Sequence, residues 1–201
     1  MGTAPPGAPV LGQVVSPPVT ELVRTALQNS DNVLAEALGR EVARTAGQPT
    51  TFDGAARAVT QVLAEAQIDT AGVTLADTSG LSVNDRVPAT ALSGVLAPAA
   101  APVGADPRTA ALRPLLDGLP VAGGGGTLAD RYAPGTPAAD GRGWVRAKTG
   151  TLTAANALAG VVGTADGRVL VFSFMSNGVD PGSARPRLDA LAAALHDCGC
   201  R

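Results

Sequence analysis

Apolar positions recur at helical spacing through the first third of the chain and give way to short β-rich runs in the last third. Val19, Leu22, Val23, Ala26 and Leu27 keep a three-to-four-residue rhythm, the mark of one apolar helix face. Ser16-Pro17-Pro18 ahead of them predicts the start, with Ser16 as N-cap and proline in the first turn. That helix is expected to end near Asn29. A second, beginning around Ser30-Asp31-Asn32, aligns Leu34, Leu38 and Val42, and a third runs from about Asp53 to Gln67 through Ala55, Val59, Val62, Leu63 and Ala66. Leu11–Val15 and Val73–Ala76 read as short strands, Thr78-Ser79-Gly80 as a turn, and Pro88–Leu96 and Thr109–Leu116 as short helices among Pro- and Gly-rich loops.

Trp144–Leu152, Ala157–Thr164 and Arg168–Ser176 predict strands. The last two are joined by Ala165-Asp166-Gly167, and Asp-Gly between apolar runs signals an antiparallel hairpin. Ser183–Asp197 closes the chain as a helix with Leu188, Leu191 and Leu195 facing the core. Helices, then an antiparallel sheet, then a C-terminal helix define an α+β class. The chain divides into a boundary segment with a short strand (1–15), a mainly helical lobe (16–142) and a sheet with its closing helix (143–201), within one structural domain.

Composition narrows the chemistry. Of 201 residues, 45% are apolar, enough for a core, and 15 basic against 17 acidic residues leave a net charge of −2. That balance disfavours nucleic acid or an acidic membrane as partner. No run of about 18 apolar residues occurs, so no spanning helix is expected. Met1–Val10 lacks the basic start and clean apolar stretch of a signal peptide. His196, Cys198 and Cys200 all fall within the last six residues, too few ligands for a structural zinc site and poorly placed for a Ser-His-Asp triad. Lys148 is the chain's single lysine; every other basic residue is arginine. A compact ammonium in that company asks for a reason.

Lys148-Thr149-Gly150-Thr151 lies in the first predicted sheet strand. Glycine inside a strand weakens it and often marks a close approach. A strand edge offering an ammonium, a hydroxyl and free N–H groups suits a peptide that carries a carboxylate and adds as a further strand. Ser30-Asp31-Asn32, at a helix junction, reads first as capping. Its other reading is a hydroxyl that relays a proton beside an amide that holds a substrate carbonyl. Each tripeptide alone is a weak signal.

Together, Ser-Asp-Asn on a helical segment and Lys-Thr-Gly on a sheet strand resemble the second and third motifs of the penicillin-recognising active-site serine enzymes. Leu27–Glu36, Asp77-Thr78-Ser79-Gly80-Leu81-Ser82, Leu119–Gly123 with Gly126-Thr127-Leu128, and Val145–Leu152 resemble the class C low-mass penicillin-binding proteins. These are D-alanyl-D-alanine carboxypeptidases and endopeptidases of the bacterial cell wall, and the likeness runs from about Leu11 to the C-terminal helix. It implies their transpeptidase-like fold, acyl transfer through a serine ester on peptidoglycan stem peptides, inhibition by β-lactams, no metal or organic cofactor, and an extracytoplasmic location. Catalytic roles are implied for Ser30, Asn32 and Lys148, and substrate-binding roles for Thr149, Gly150 and Thr151, whose N–H is one of two oxyanion donors. Asp31 is expected to orient its helix.

The family's first motif, Ser-x-x-Lys, cannot occur in this sequence, because Val145 stands three positions before the only lysine. The chain is therefore expected to be the C-terminal part of such an enzyme and inactive alone, with a sheet edge and apolar helix surface left for an upstream segment that carries Ser-x-x-Lys. Met1 is read as an artificial start, a cleavage boundary or an unusual initiation site. Where the family often has an arginine that reads a stem-residue carboxylate stands Val83, with Arg86 three residues on. Alternatives are a non-catalytic cell-wall binding module of the same fold, and a β-lactamase or esterase, for which Glu36 and Glu41 have no evident placement as water-activating base.

The remaining features have plainer readings. Gly123–Gly126 is a flexible loop. His196 meets the helix C-terminal dipole. Trp144, Phe172 and Phe174 are core. Cys198 and Cys200 form a redox pair, a strained local disulfide, or a bond to a cysteine elsewhere in the longer protein.

Overall fold

The computed structural model describes residues 3–198. Its first helix, α1 (Val19–Asn29), starts after Pro18, which takes an extended ψ of 150° and supplies no side-chain cap. Ser16 is not the N-cap; its hydroxyl donates to the Pro17 carbonyl. A residue preceding proline is disfavoured in the α region, so Pro17 cannot be helical and the start moves beyond Pro18. Residues 10–15 form no strand and stand exposed, because no described segment pairs with them.

The next helix, α2 (Asn32–Thr45), is capped by Asp31, whose carboxylate accepts from Leu34 N at 2.9 Å. It packs on α3 (Phe52–Glu65), capped by Thr51, through Ala43, Ala55 and Ala58. Small side chains let the two helix axes approach closely. Val73–Ala76 makes only an isolated bridge, Thr74 to Arg86, not a strand. The helix α4 (Ala89–Ala100) runs four residues past the expected end and through Pro98, with Leu96, Pro98 and Ala99 buried. It packs on α5 (Thr109–Gly118) and on the sheet.

The sheet has three antiparallel strands in the order β1 (Val145–Thr151), β2 (Ala155–Gly163) and β3 (Val169–Asn177). The Asp166-Gly167 turn joins β2 to β3 as expected, with Gly167 at φ 84°. The central strand β2 is buried on both faces. Leu158 and Val162 meet Leu188, Ala192 and Ala193 of the last helix, α6 (Pro181–Asp197). Ala159 and Val161 meet Leu96 and Leu116 on the other side. The α+β reading is correct: a helical lobe, an antiparallel sheet and a closing helix.

Two core assignments fail. The buried stripe of α6 steps through Ala184, Leu188 and Ala192, and Leu191 is 52% exposed. Trp144 precedes β1, is 53% exposed and stacks on His196 with ring centroids 4.7 Å apart. His196 Nδ1 lies 2.6 Å from the Gly163 carbonyl, so that ring locks α6 to the sheet. Phe172 is core, and Phe174 packs half-buried beside it. Cys198 is disulfide-bonded; Gly199 and Cys200 lie outside the described residues.

Candidate active site

Ser30 ends α1 in the left-handed region, φ 54° and ψ 46°, while the N–H groups of Ser30 and Asp31 both donate to the Ala26 carbonyl. A non-glycine residue in that region costs on the order of 1 kcal/mol. The turn allows α1 to stop and α2 to start two residues later. Capping of α2 falls to Asp31, as expected. The Asn32 carboxamide, in the first turn of α2, makes no hydrogen bond among the described residues.

Opposite this turn lies the outer edge of β1. Its first half is covered by the segment 120–122: Ala147 N donates to the Pro120 carbonyl at 3.0 Å, and Ala122 N donates to the Val145 carbonyl at 3.0 Å. Backbone groups alternate sides along an antiparallel strand. The N–H groups of Thr149 and Thr151 therefore point to the same outer edge as that of Ala147, beyond the point where its cover ends.

Lys148 joins the two sides. Its ammonium donates at 2.6 Å to Ser30 Oγ, 118 residues away in the chain, and at 2.7 Å to the carbonyl of the adjacent Thr149. Burial lowers the Lys148 pKa, because a half-buried ammonium loses hydration. Since Ser30 Oγ accepts from the ammonium, its own hydroxyl proton remains available to another acceptor.

The cleft between these elements holds about 500 Å³ and is lined by Ser30, Asn32, Lys148, Thr149, Gly150 and Thr151, with apolar surface from Leu27 and Leu152. All six residues singled out in the sequence thus converge on one groove. A Cβ at Gly150 would meet the Ala157 Cβ at 3.4 Å, ordinary contact, so packing against β2 does not demand glycine there.

The far wall is the loop 77–82. Asp77 accepts from Gly80 N at 2.6 Å and Ser82 N at 2.7 Å. Glu36 Oε1, reaching from α2, accepts from Thr78 N and Ser79 N at 2.8 and 2.9 Å. Glu36 thus holds a wall in place. Val83 is 77% exposed. The Arg86 guanidinium donates to the Val83 and Asp85 carbonyls, turned back on its own loop and away from the cleft lining.

Three lining residues escaped sequence reasoning. Thr127 Oγ1 lies 3.1 Å from Thr149 Oγ1. It is carried there by the glycine loop, which is packed on α1: a Cβ at Gly126 would fall 2.5 Å from Gln28 Oε1, and Gln28 Nε2 donates to the Gly118 and Leu119 carbonyls. Its signal was the Gly126-Thr127-Leu128 likeness. Arg131 is gripped by both carboxylate oxygens of Asp189, at 2.8 and 2.5 Å. Arg185 sits on α6. Neither arginine carried a local signal. Among the described residues, no group of three or more His, Cys, Asp or Glu is placed to hold a metal ion, and no helix is long and apolar enough to cross a membrane.

The sequence signature of the D-Ala-D-Ala carboxypeptidase 3 (S13) family matches residues 1–197. The chain is 46% identical over 194 residues to the carboxypeptidase DacB of Mycolicibacterium smegmatis, covering 96% of this chain and 41% of that protein. It is 46% identical over 200 residues to a carboxypeptidase of Mycobacterium tuberculosis, covering 100% of this chain and 42% of that one. It therefore spans about two fifths of the length of these relatives. Among solved structures, penicillin binding protein 4 of Haemophilus influenzae, complexed with a β-lactam, superposes with a TM-score of 0.75 at 28% identity, over 96% of this chain and 46% of that one.

Proposed function

Because the chain belongs to the D-Ala-D-Ala carboxypeptidase 3 (S13) family, we propose that it forms the substrate-holding side of a serine-type D-alanyl-D-alanine carboxypeptidase or endopeptidase acting on peptidoglycan stem peptides outside the cytoplasm. The observation that carries this reading is the 2.6 Å hydrogen bond from Lys148 to Ser30 across a groove that also presents Asn32 and the open edge of β1.

In this reading the peptide lies along Lys148–Thr151 as an added strand. The Thr149 hydroxyl and the Lys148 charge hold its terminal carboxylate. The Asn32 carboxamide binds a backbone amide of the substrate. The nucleophile is a serine on an upstream Ser-x-x-Lys segment. Its Oγ gives its proton to the lysine amine of that motif and bonds to the carbonyl carbon of the penultimate D-alanine, and Thr151 N–H is one of two donors to the resulting oxyanion. The C–N bond then breaks, and the departing D-alanine nitrogen takes a proton through the Ser30 hydroxyl. Water hydrolyses the ester and frees the serine. A β-lactam presents its ring carbonyl in the same place and inhibits by forming a long-lived ester. The 201 residues alone do not acylate.

The test is acylation by a fluorescent penicillin. A protein that joins these residues to the segment preceding them in the parent gene is expected to label on a Ser-x-x-Lys serine, and the 201-residue chain is expected not to label. An upstream segment without Ser-x-x-Lys, or an extended protein with that motif that stays unlabelled, overturns the reading.

A further inference from the structure

The cleft carries more positive charge than peptide anchoring by Lys148 uses. Four charged side chains line it: Asp31, Arg131, Lys148 and Arg185. Three are already committed. Asp31 caps α2, Arg131 is bound by Asp189 through its Nε and one terminal nitrogen, and Lys148 donates to Ser30 and Thr149. No hydrogen bond or ion pair engages Arg185 among the described residues. Its natural counterion on a helix would be Asp189, four residues further along α6. Both oxygens of that carboxylate accept from Arg131 and neither from Arg185, which lines the groove as an exposed residue with no ion-pair partner among the described residues.

The fold also fixes where Arg185 lies along the chain that borders the groove. Asn156, buried in β2, pairs in register with Thr151 of β1, and its Nδ2 donates to the Val179 carbonyl at 3.0 Å. Val179 leads directly into Asp180, the cap of α6. One buried carboxamide thus ties the start of α6 to the open end of β1, and Arg185 lies in the second turn of that helix. A guanidinium offers a planar pair of donors matched to a carboxylate and stays charged at any working pH. The Lys148 ammonium has two of its three donors occupied and is made less basic by burial.

We propose that Arg185 is a second carboxylate-binding residue of the cleft, pairing with an acidic group of the bound peptide. The inference rests on the peptide-site reading of the groove. The carboxylate has two possible sources, the peptide's C-terminus and an acidic residue upstream of the D-alanines, and the two are separable.

The experiment titrates the 201-residue chain by heteronuclear NMR with three probes: diacetyl-lysyl-D-alanyl-D-alanine, its C-terminal amide, and that amide extended at its N-terminus by an acetylated D-glutamate. Arg185→Gln is expected to weaken one of the two acidic probes about tenfold, the equivalent of one charge-assisted hydrogen bond, and to leave the neutral amide unchanged. Loss confined to the free acid assigns the C-terminus; loss confined to the glutamyl amide assigns the upstream acid. Arg185→Lys is expected to restore part of the loss. If Arg185→Gln binds all three probes as the parent does while Lys148→Ala weakens the free acid, Arg185 is a solvated surface charge, and only this inference falls. Equal weakening of all three probes makes its role structural and also overturns it. If the parent chain binds none of them, or Lys148→Ala changes nothing, the peptide-site reading fails and takes this inference with it.

Discussion

Along β1, residues Val145–Ala147 and Lys148–Thr151 pair with the same strand but face different surroundings on the other edge. The first half is sealed by the segment 120–122, and its side chains at Val145 and Ala147 are fully buried. The second half has no such cover, its burial falls away, and its outer groups line the cleft. The two glycines opposite and within these halves show the same division. Gly160, facing Ala147, has no room for a side chain: a Cβ there would fall 2.0 Å from the Arg146 carbonyl oxygen. Gly150 has room. One half of the strand is constrained by packing and the other lines the cleft, so under the proposed function substitutions in the two halves should separate stability from activity.

The largest effect is expected at Gly160→Ala, where overpacking against backbone costs about 3 kcal/mol, read as a fall in thermal midpoint. A small change there would show that the two strands can part without penalty and would erase the contrast. Next comes Lys148→Ala in the protein extended by the upstream segment proposed to carry Ser-x-x-Lys. Acylation should drop on the order of a hundredfold, while stability holds or rises, since a half-buried ammonium is removed. An unchanged acylation rate takes Lys148 out of the site.

The pH dependence follows from the sign of the Lys148 shift. The folded pKa lies below the ordinary lysine value, so the charged form is the one disfavoured by folding. That cost is fully present below the folded pKa and disappears as pH rises through it towards the unfolded value. Over the same window the ammonium is lost, so carboxylate-dependent binding should fail at lower pH than an exposed lysine would allow. A titration of peptide affinity against pH checks this; a decline only above the ordinary lysine range contradicts it.

A smaller effect is expected at Asn32→Ala. Asp31 already caps the helix, so stability should move by less than about 0.5 kcal/mol, while acylation falls about thirtyfold through lost substrate positioning. The reverse pattern, measured by denaturation and labelling together, would return Asn32 to a structural role. The smallest belongs to Gly150→Ala, which should leave the fold intact and slow acylation about fivefold by crowding the added strand.

The predictable parts of this fold were those governed by neighbours in the chain. The rhythm of α1 to α3, the Asp166-Gly167 hairpin and the sequence of helix, sheet and helix follow from local spacing and turn chemistry. The misreadings have the opposite origin. Leu11–Val15 looks like a strand and has no described partner. Leu191 has the composition of a core position, yet the stripe that reaches the sheet passes through alanines. The glycine loop reads as loose chain and is instead packed on Gln28. Arg131 and Arg185 were invisible as site residues for the same reason: nothing adjacent to them in sequence marks the cleft they line.

For the site, the residue types were set by the chain alone: a single lysine, a serine and an asparagine two places apart at a helix junction, a glycine within a strand, and the absence of any serine three places ahead of that lysine. Only tertiary structure decided that an ammonium would reach a hydroxyl 118 positions away, because that contact depends on a left-handed turn at Ser30, on β1 having an open half-edge, and on α5 and the glycine loop packing α1 against the sheet. Local pattern chooses elements through interactions a few residues long. Juxtaposing their ends is settled by which surfaces bury one another, and that sum runs over the whole molecule.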